Sequence, residues 1–142
     1  MSVEGWKIMK EFDYNKEMKK ILNNAGINVN IVYITKSFPN WDKDNLHNQY
    51  KIILERGKQQ IQFDYWDSLY DTKENKKPST YDVIACLEWY EIYDFEDFCQ
   101  NFGYDTDSMK AFNIYTECQK QQKELFALIP EENIREQIKE II

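Results

Sequence analysis

Residues 50–63, YKIILERGKQQIQF, decide the fold. Apolar and polar residues alternate on both sides of Arg56-Gly57, the period of two that sends successive side chains to opposite faces of a sheet. With Arg56-Gly57 as a two-residue turn, Glu55 faces Lys58, Leu54 faces Gln59, Ile52 faces Ile61 and Tyr50 faces Phe63. One face then gathers Tyr50, Ile52, Leu54, Ile61 and Phe63, while the other carries Lys51, Gln60, Gln62 and a Glu55/Lys58 ion pair. A slip of one residue would send every apolar side chain to the wrong face, so the pattern specifies a hairpin.

A third strand lies upstream. Ile27, Val29, Ile31 and Tyr33 alternate with Asn28, Asn30, Val32 and Ile34, which predicts one buried face and a second face buried at one end. It follows a helix over 13–25, where Met18, Ile21, Leu22 and Ala25 share a face and Gly26 ends the helix. The stretch 37–48, SFPNWDKDNLHN, has no periodicity and is expected to be a loop, with His47 as a solvated loop residue. Downstream, 71–77 (DTKENKK) is a polar basic loop that ends the β region.

From Pro78 the signals are helical. Ser79 with Asp82 forms an acidic capping box, and Asp94 with Asp97 repeats the spacing, with Tyr93 and Phe98 placed as a hydrophobic staple. Gly103 closes that short helix, and Asp105 or Thr106 opens a longer one whose stripe is Met109, Phe112, Tyr115, Cys118, Gln122, Leu125 and Phe126. Pro130 resets the chain into a last helix, with Glu131 and Glu132 at its positive end and Ile134, Ile138, Ile141 and Ile142 as an apolar stripe. The expected architecture is α+β: an N-terminal helix, a three-stranded antiparallel meander and about four C-terminal helices. Together they make one domain over 1–142, divided into 13–77 (helix plus sheet) and 78–142 (helical).

Charge is concentrated rather than spread. Of 25 acidic residues, eight (Asp82, Glu88, Glu91, Asp94, Glu96, Asp97, Asp105 and Asp107) lie between Lys77 and Lys110, where there is no Lys, Arg or His. The rest of the chain holds 17 acids against 18 basic residues, so the net charge of −7 belongs to this window. Eight aromatics share it: Tyr81, Trp89, Tyr90, Tyr93, Phe95, Phe98, Phe102 and Tyr104. Rigid apolar rings with polar tips among carboxylates suit a protein interface with a basic partner. On composition alone they suit a helical core equally well.

Several chemistries are disfavoured. Four glycines at 5, 26, 57 and 103 make neither a P-loop nor a dinucleotide fingerprint. Asp105-Thr106-Asp107 begins like an EF-hand, but Lys110 stands where glycine must turn the chain and Thr116 where a bidentate Glu is needed. Cys86, Cys99 and Cys118 include no CxxC pair and have only His47 as an imidazole companion, so they are expected as reduced thiols in or near a helical core, with no metal and no cofactor. Two arginines and scattered lysines make no stripe for a polyanion, which argues against direct nucleic-acid binding. No apolar run reaches the roughly 20 residues of a membrane span, and the first twenty residues lack the apolar run of a signal peptide. A cytoplasmic protein is expected.

Lys77-Pro78-Ser79-Thr80-Tyr81-Asp82-Val83-Ile84-Ala85-Cys86-Leu87, then Phe95-Glu96-Asp97-Phe98-Cys99, then Phe102-Gly103-Tyr104-Asp105-Thr106-Asp107-Ser108, resembles a family of small proteins encoded by bacteriophages and mobile elements of low-GC Gram-positive bacteria. The resemblance spans roughly Tyr50 to Tyr115 and departs from the family pattern at Thr80 and Ile84. It implies no catalytic residues. It implies a setting, the host cell, and a class of activity, non-enzymatic inhibition of a defence system such as a CRISPR effector.

The resulting expectation is a basic protein partner held by Glu88, Trp89, Tyr90, Glu91, Asp94, Glu96, Asp97, Asp105 and Asp107, with the polar loop 37–48 as a competing contact surface. Caps and the staple account for Asp82, Asp94, Asp97 and Asp105, which leaves Glu88, Glu91 and Glu96 with no structural task. One alternative is a structural or regulatory phage protein that self-associates as a homodimer through Ile134, Ile138 and Ile141. Another is a metal-dependent hydrolase using Asp64, a strand carboxylate without an evident partner pattern.

Overall fold

The computed structural model describes residues 12–39, 42–68, 77–90 and 94–142. Helix α1 (Tyr14–Asn24) leads into strands β1 (Ile27–Ser37), β2 (His47–Arg56) and β3 (Gln59–Ser68), followed by helices α2 (Thr80–Ala85), α3 (Phe95–Phe102), α4 (Met109–Leu128) and α5 (Glu132–Ile141). The strands form one antiparallel sheet in the order β1-β2-β3. This is the α+β architecture anticipated. The 71–76 part of the basic loop, Glu91 and Tyr93 with its staple lie outside the described residues.

The hairpin forms with its register moved by two. Arg56 faces Gln59, Leu54 faces Ile61, Ile52 faces Phe63 and Tyr50 faces Tyr65, so the turn is Gly57-Lys58. The cause is Gly57, whose φ of +60° places it at the first turn position, where primed turns need a residue free of Cβ strain. The Glu55/Lys58 pair therefore does not form, and Glu55 faces Gln60, whose amide donates to it at 3.4 Å. A shift of two preserves the faces. Tyr50, Ile52, Leu54 and Phe63 are buried as expected.

Met18 and Leu22 of α1, Ile27, the buried strand face, Val83 and Ile84 of α2, Leu87, Trp89, the C-terminal end of α4 and Ile138 of α5 form one core. The capping box of α2 is complete: Ser79 Oγ accepts from the Asp82 N–H at 3.1 Å, and Asp82 Oδ2 accepts from the Ser79 N–H at 3.1 Å. Four expectations need correction. The β1 face is not fully buried, because Tyr33 reaches beyond the helices and is exposed, as are Val32 and Ile34. The loop between β1 and β2 shortens to 38–46 because both strands extend into it. His47 is not solvated. It opens β2 at 6% exposure, and its Nε2 lies 2.8 Å from Asp42 Oδ2, the Asp42 N–H in turn donating to the carbonyl of the buried Pro39 at 3.1 Å. The hydrogen bond with His47 holds the Asp42 carboxyl below its ordinary range. Finally, α4 opens at Ser108, whose hydroxyl accepts from the Ala111 N–H at 3.1 Å, because Asp105 is spent on the preceding turn.

The hairpin is clasped to the far end of the helical part. Arg56 donates to both Glu131 oxygens, at 3.0 and 2.5 Å, and to the Leu128 carbonyl at 3.1 Å. Glu131 thus serves the hairpin more than its own helix, where it makes no side-chain cap. The Arg56 hydrogen bond lowers the Glu131 carboxyl below its ordinary value of 4.5. The stabilisation is present in full above the unfolded carboxyl's pKa and is lost as pH falls through the depressed folded value. Urea midpoints measured from pH 6 down to pH 3 should therefore decline, and Glu131→Gln should lower the midpoint at pH 6 while flattening that decline. An unchanged slope in the variant would remove the clasp from the acid sensitivity.

Candidate functional site

Helix α3 and the N-terminal half of α4 form a lobe with a small core of its own. Phe98 and Cys99 of α3 bury against Ala111 and Tyr115 of α4, with Phe95, Ile114 and Cys118 packed around them. Phe98 contacts three rings, those of Phe102, Tyr104 and Tyr115, at centroid distances of 4.9, 5.7 and 5.5 Å. Phe95 meets Phe112 and Tyr115, both at 5.4 Å. Helix α4, 20 residues and so about 30 Å long, joins this lobe to the main core, where Leu125 and Leu128 lie.

Local sequence sets the lobe's shape. Asp94 Oδ1 accepts from the Asp97 N–H at 2.7 Å and starts α3. Gly103, at φ +73°, ends it in the left-handed conformation, and the Tyr104 N–H closes on the Cys99 carbonyl at 2.9 Å. Asp105 then holds the Asp107 N–H at 3.0 Å and, through its carbonyl, the Ser108 N–H at 3.1 Å. This turn carries the chain from α3 into α4.

The nine residues assigned to a partner separate accordingly. Asp94 and Asp105 are exposed but have structural hydrogen bonds. Glu96, Asp97 and Asp107 are exposed, and their carboxylates make no hydrogen bond or ion pair with any described residue. Asp97 contributes its backbone N–H, not its carboxylate, to the cap, which corrects its assignment as a structural acid. Glu88 is half-buried, and burial raises its carboxyl above the ordinary range, so it is a poorer contributor to a surface field. Tyr90 is exposed, with its ring 5.3 Å from the Lys139 ammonium and its carbonyl accepting from the Gln122 amide.

Trp89 is not a contact residue. It is 1% exposed, and its Nε1–H donates to the Ile84 carbonyl at 2.8 Å, because the chain turns inward after α2 and the indole fills the main core. The self-association stripe is corrected in the same way. Ile138 is fully buried in the core and Ile134 and Ile141 pack against it, so the apolar face of α5 is satisfied within the chain. The α4 stripe is rotated as well: Ala111, Tyr115, Leu125 and Leu128 are buried, while Met109 and Phe112 are exposed. With Phe102 (55% exposed) and Tyr104, these residues give the lobe an apolar surface among its acids. The spacing missed them because ring side chains were counted toward the core and small Ala111 was not.

The chain matches no protein-family model, no curated protein and no solved structure.

The remaining chemistry is sparse. Asp64 is paired with Lys51 at 2.8 Å across β2 and β3. Among the described residues no three His, Cys, Asp or Glu side chains are grouped so as to hold a metal ion, and no helix is long and apolar enough to cross a membrane. The three cysteines are free, with Cys99 buried, Cys118 half-buried and Cys86 exposed. Cys86 lies at the edge of the core: its residue surface is exposed at the end of α2, but its Sγ lies 3.0 Å from the carbonyl of the buried Val83, and burial pushes the thiol up to about 11.

Proposed function

We propose that this chain is a non-enzymatic binding protein, of the kind bacteriophages direct against host defence, that acts in the host cytoplasm by inserting its α3/α4 lobe into a basic groove of a nucleic-acid-binding effector, a CRISPR complex first among them. What supports the reading is one arrangement: exposed Glu96, Asp97 and Asp107 beside the exposed rings of Phe102, Tyr104 and Phe112, on a lobe whose private core leaves that face free of the main fold. The carboxylates supply a negative field that attracts and orients a basic groove, and the rings supply apolar area that stays rigid on binding. The family resemblance supplies the biological setting.

The test is a pull-down of purified CRISPR effector complexes and other nucleic-acid-binding defence complexes by the full chain, at low and high salt. Capture should weaken as the Debye length falls from about 10 Å at 0.1 M salt toward about 3 Å at 1 M. Reversal of Glu96, Asp97 and Asp107 to Lys should abolish it, and because Lys in the first turn of α3 costs about 0.3–1 kcal/mol each against the helix dipole, the milder Glu96→Gln, Asp97→Asn and Asp107→Asn variant, which should keep the parent's circular dichroism spectrum, should also weaken it. Equal capture by the triple variant, or capture of none of the complexes, would overturn the proposal.

A further inference from the structure

The two edges of the sheet are treated differently. Helix α4 runs along β3, where Cys118, Gln121 and Glu124 share a hollow with Gln62, Phe63 and Asp64. Among the described residues β1 pairs only with β2, and its outer edge carries no strand. From Ile27 to Thr35 that edge has neither a charge nor a proline, the usual devices that keep an edge from pairing with another chain. It also exposes Val32, Tyr33, Ile34 and Phe38, by 43% to 57% each, an apolar grouping of the kind that marks an interaction surface.

The ladder fixes which backbone groups this edge offers. Arg56 and Gln59 close the two-residue turn as a hydrogen-bonded pair, so the even-numbered residues of β2 bond to β3 and the odd-numbered ones to β1. Opposite odd-numbered Glu55, Ile53 and Lys51 stand Asn28, Asn30 and Val32. Their backbone groups are therefore used inside the sheet, and the N–H and C=O groups of Ile27, Val29, Ile31 and Tyr33 point outward. The regular stretch ends there, at the irregularity between Tyr33 and Thr35, and Lys36 blunts the edge beyond it. What is left open is 27–33, about 24 Å at ~3.4 Å per residue, with Asn30 at its midpoint.

We propose that the occupant of this edge is a second copy of the chain, whose β1 pairs antiparallel with the first across a two-fold axis at Asn30 to make one continuous sheet. Self-complementarity selects that occupant. With the axis at Asn30 every outward-facing group meets another: Ile27 lies opposite Tyr33 of the second copy and Val29 opposite Ile31, each twice by symmetry. Moving the axis one residue either way leaves Ile27 or Tyr33 unmatched. On the core face the cross-strand pairs are apolar against apolar, and on the other face Val32 meets Asn28 and Asn30 meets its own copy. No charge enters the paired stretch, so nothing in it calls for a charged partner and two identical strands meet without repulsion. The net charge of −7 does not oppose the pairing either, because the acidic window lies in the helical part and α4 sits at the opposite edge, beside β3. Both α3/α4 lobes stay free, so this interface is independent of the function proposed for them.

Sedimentation of the full chain should show its mass rising with concentration from 17.2 kDa toward twice that value. Over the same range hydrogen exchange should slow at the amides of Val29, Ile31 and Tyr33, while Asn28, Asn30 and Val32, already bonded to β2, change little. Asn30 is exposed, so Asn30→Lys should keep the circular dichroism of the parent, place two ammonium groups opposite each other and weaken the dimer about fivefold. Asn30→Asp should weaken it in the same way, and an equal mixture of the two variants should restore it. Asn30→Cys, at a non-hydrogen-bonded pair with Cα atoms about 4.5 Å apart, should cross-link under mild oxidation where the parent, with its own three cysteines, does not. The proposal is overturned by a chain that stays at 17.2 kDa throughout, by a dimer that Asn30→Lys leaves intact, or by a mixture that restores nothing. Protection of the β1 amides that appears only with a captured effector would also overturn it, and would give the edge to that partner.

Discussion

Trp89→Ala should be among the most destabilising single substitutions in the chain, at about 3–5 kcal/mol by analogy with other buried aromatic truncations. Against the roughly 5–15 kcal/mol of a typical domain, that is a large share of the total. The side chain is 1% exposed within the core that joins α1, the sheet, α2 and the end of α4. The segment around it is also tied to α4: the Glu88 N–H donates to the Gln121 amide oxygen at 3.4 Å, and the Gln122 amide donates to the Tyr90 carbonyl. Removing the indole leaves a cavity beneath a chain segment that leads directly to the lobe. Trp89→Phe separates the contributions. It keeps most of the apolar body and loses the hydrogen bond to Ile84, whose carbonyl still accepts from the Leu87 N–H at 3.2 Å, so the added cost of that bond is about 0.5–1.5 kcal/mol. Urea denaturation followed by circular dichroism measures both variants. A Trp89→Ala midpoint within error of the parent would contradict the core placement and restore Trp89 as a surface residue.

Strand faces were legible in the sequence and helix faces were only partly so, for a reason that lies in their periods. A strand has two faces, so the hairpin could move by two residues, from Leu54 opposite Gln59 to Leu54 opposite Ile61, without moving one apolar side chain across the sheet. A helix gives no such protection. Successive residues differ by about 100°, and α4 shows the result: a stripe anchored on Met109 and Phe112 lies beside the buried seam that runs through Ala111 and Tyr115. Caps were legible because they are local. Ser79, Asp94 and Gly103 do what their spacing required, and only the start of α4 moved, to Ser108, once Asp105 was committed to the turn before it.

Long-range burial was the least legible. Trp89 stands between Glu88 and Tyr90 in an acidic run, and nothing in that neighbourhood marks it as core. Its inward turn depends on the short α2 and on partners more than thirty residues away, Gln121 and Gln122. His47 differs in that its partner Asp42 is only five residues away; it stands in an aperiodic polar stretch, so neither its place at the head of β2 nor its burial had a pattern to mark it. The charge of the window was visible at once. The division of its acids was not, because an Asp three residues after the cap can return its carboxylate to the cap's N–H, as Asp82 does to Ser79, or leave it free while its own N–H is capped, as Asp97's is by Asp94. That division leaves the carboxylates of Glu96, Asp97 and Asp107 for a partner, with Glu96 and Asp97 also favouring the positive end of α3, which is why neutralisation separates binding from folding better than reversal does.

Ile138→Asp should release α5 and unfold much of the main core. Ile138 is fully buried, and α5 packs on α1, whose Met18 and Leu22 belong to the same cluster. Truncating a buried isoleucine costs about 2–5 kcal/mol through lost transfer energy and the cavity left behind. A carboxylate at the same place adds the cost of an unpaired buried charge, several kcal/mol unless it takes up a proton or the helix detaches. Detachment would also strain the Arg135 bond to the Ile129 carbonyl, 2.8 Å long, and the Arg56 clasp at the head of the helix. The expected result is therefore a loss of helical signal and a lowered urea midpoint. Self-association through α5 predicts the opposite: a folded protein of unchanged stability that light scattering finds converted from dimer to monomer. Ile134→Ala, at a half-buried position on the same face, supplies a milder variant that should stay folded, with a smaller loss of midpoint and the parent's molar mass. A fall in mass with no fall in stability in either variant would return the α5 stripe to the protein's exterior.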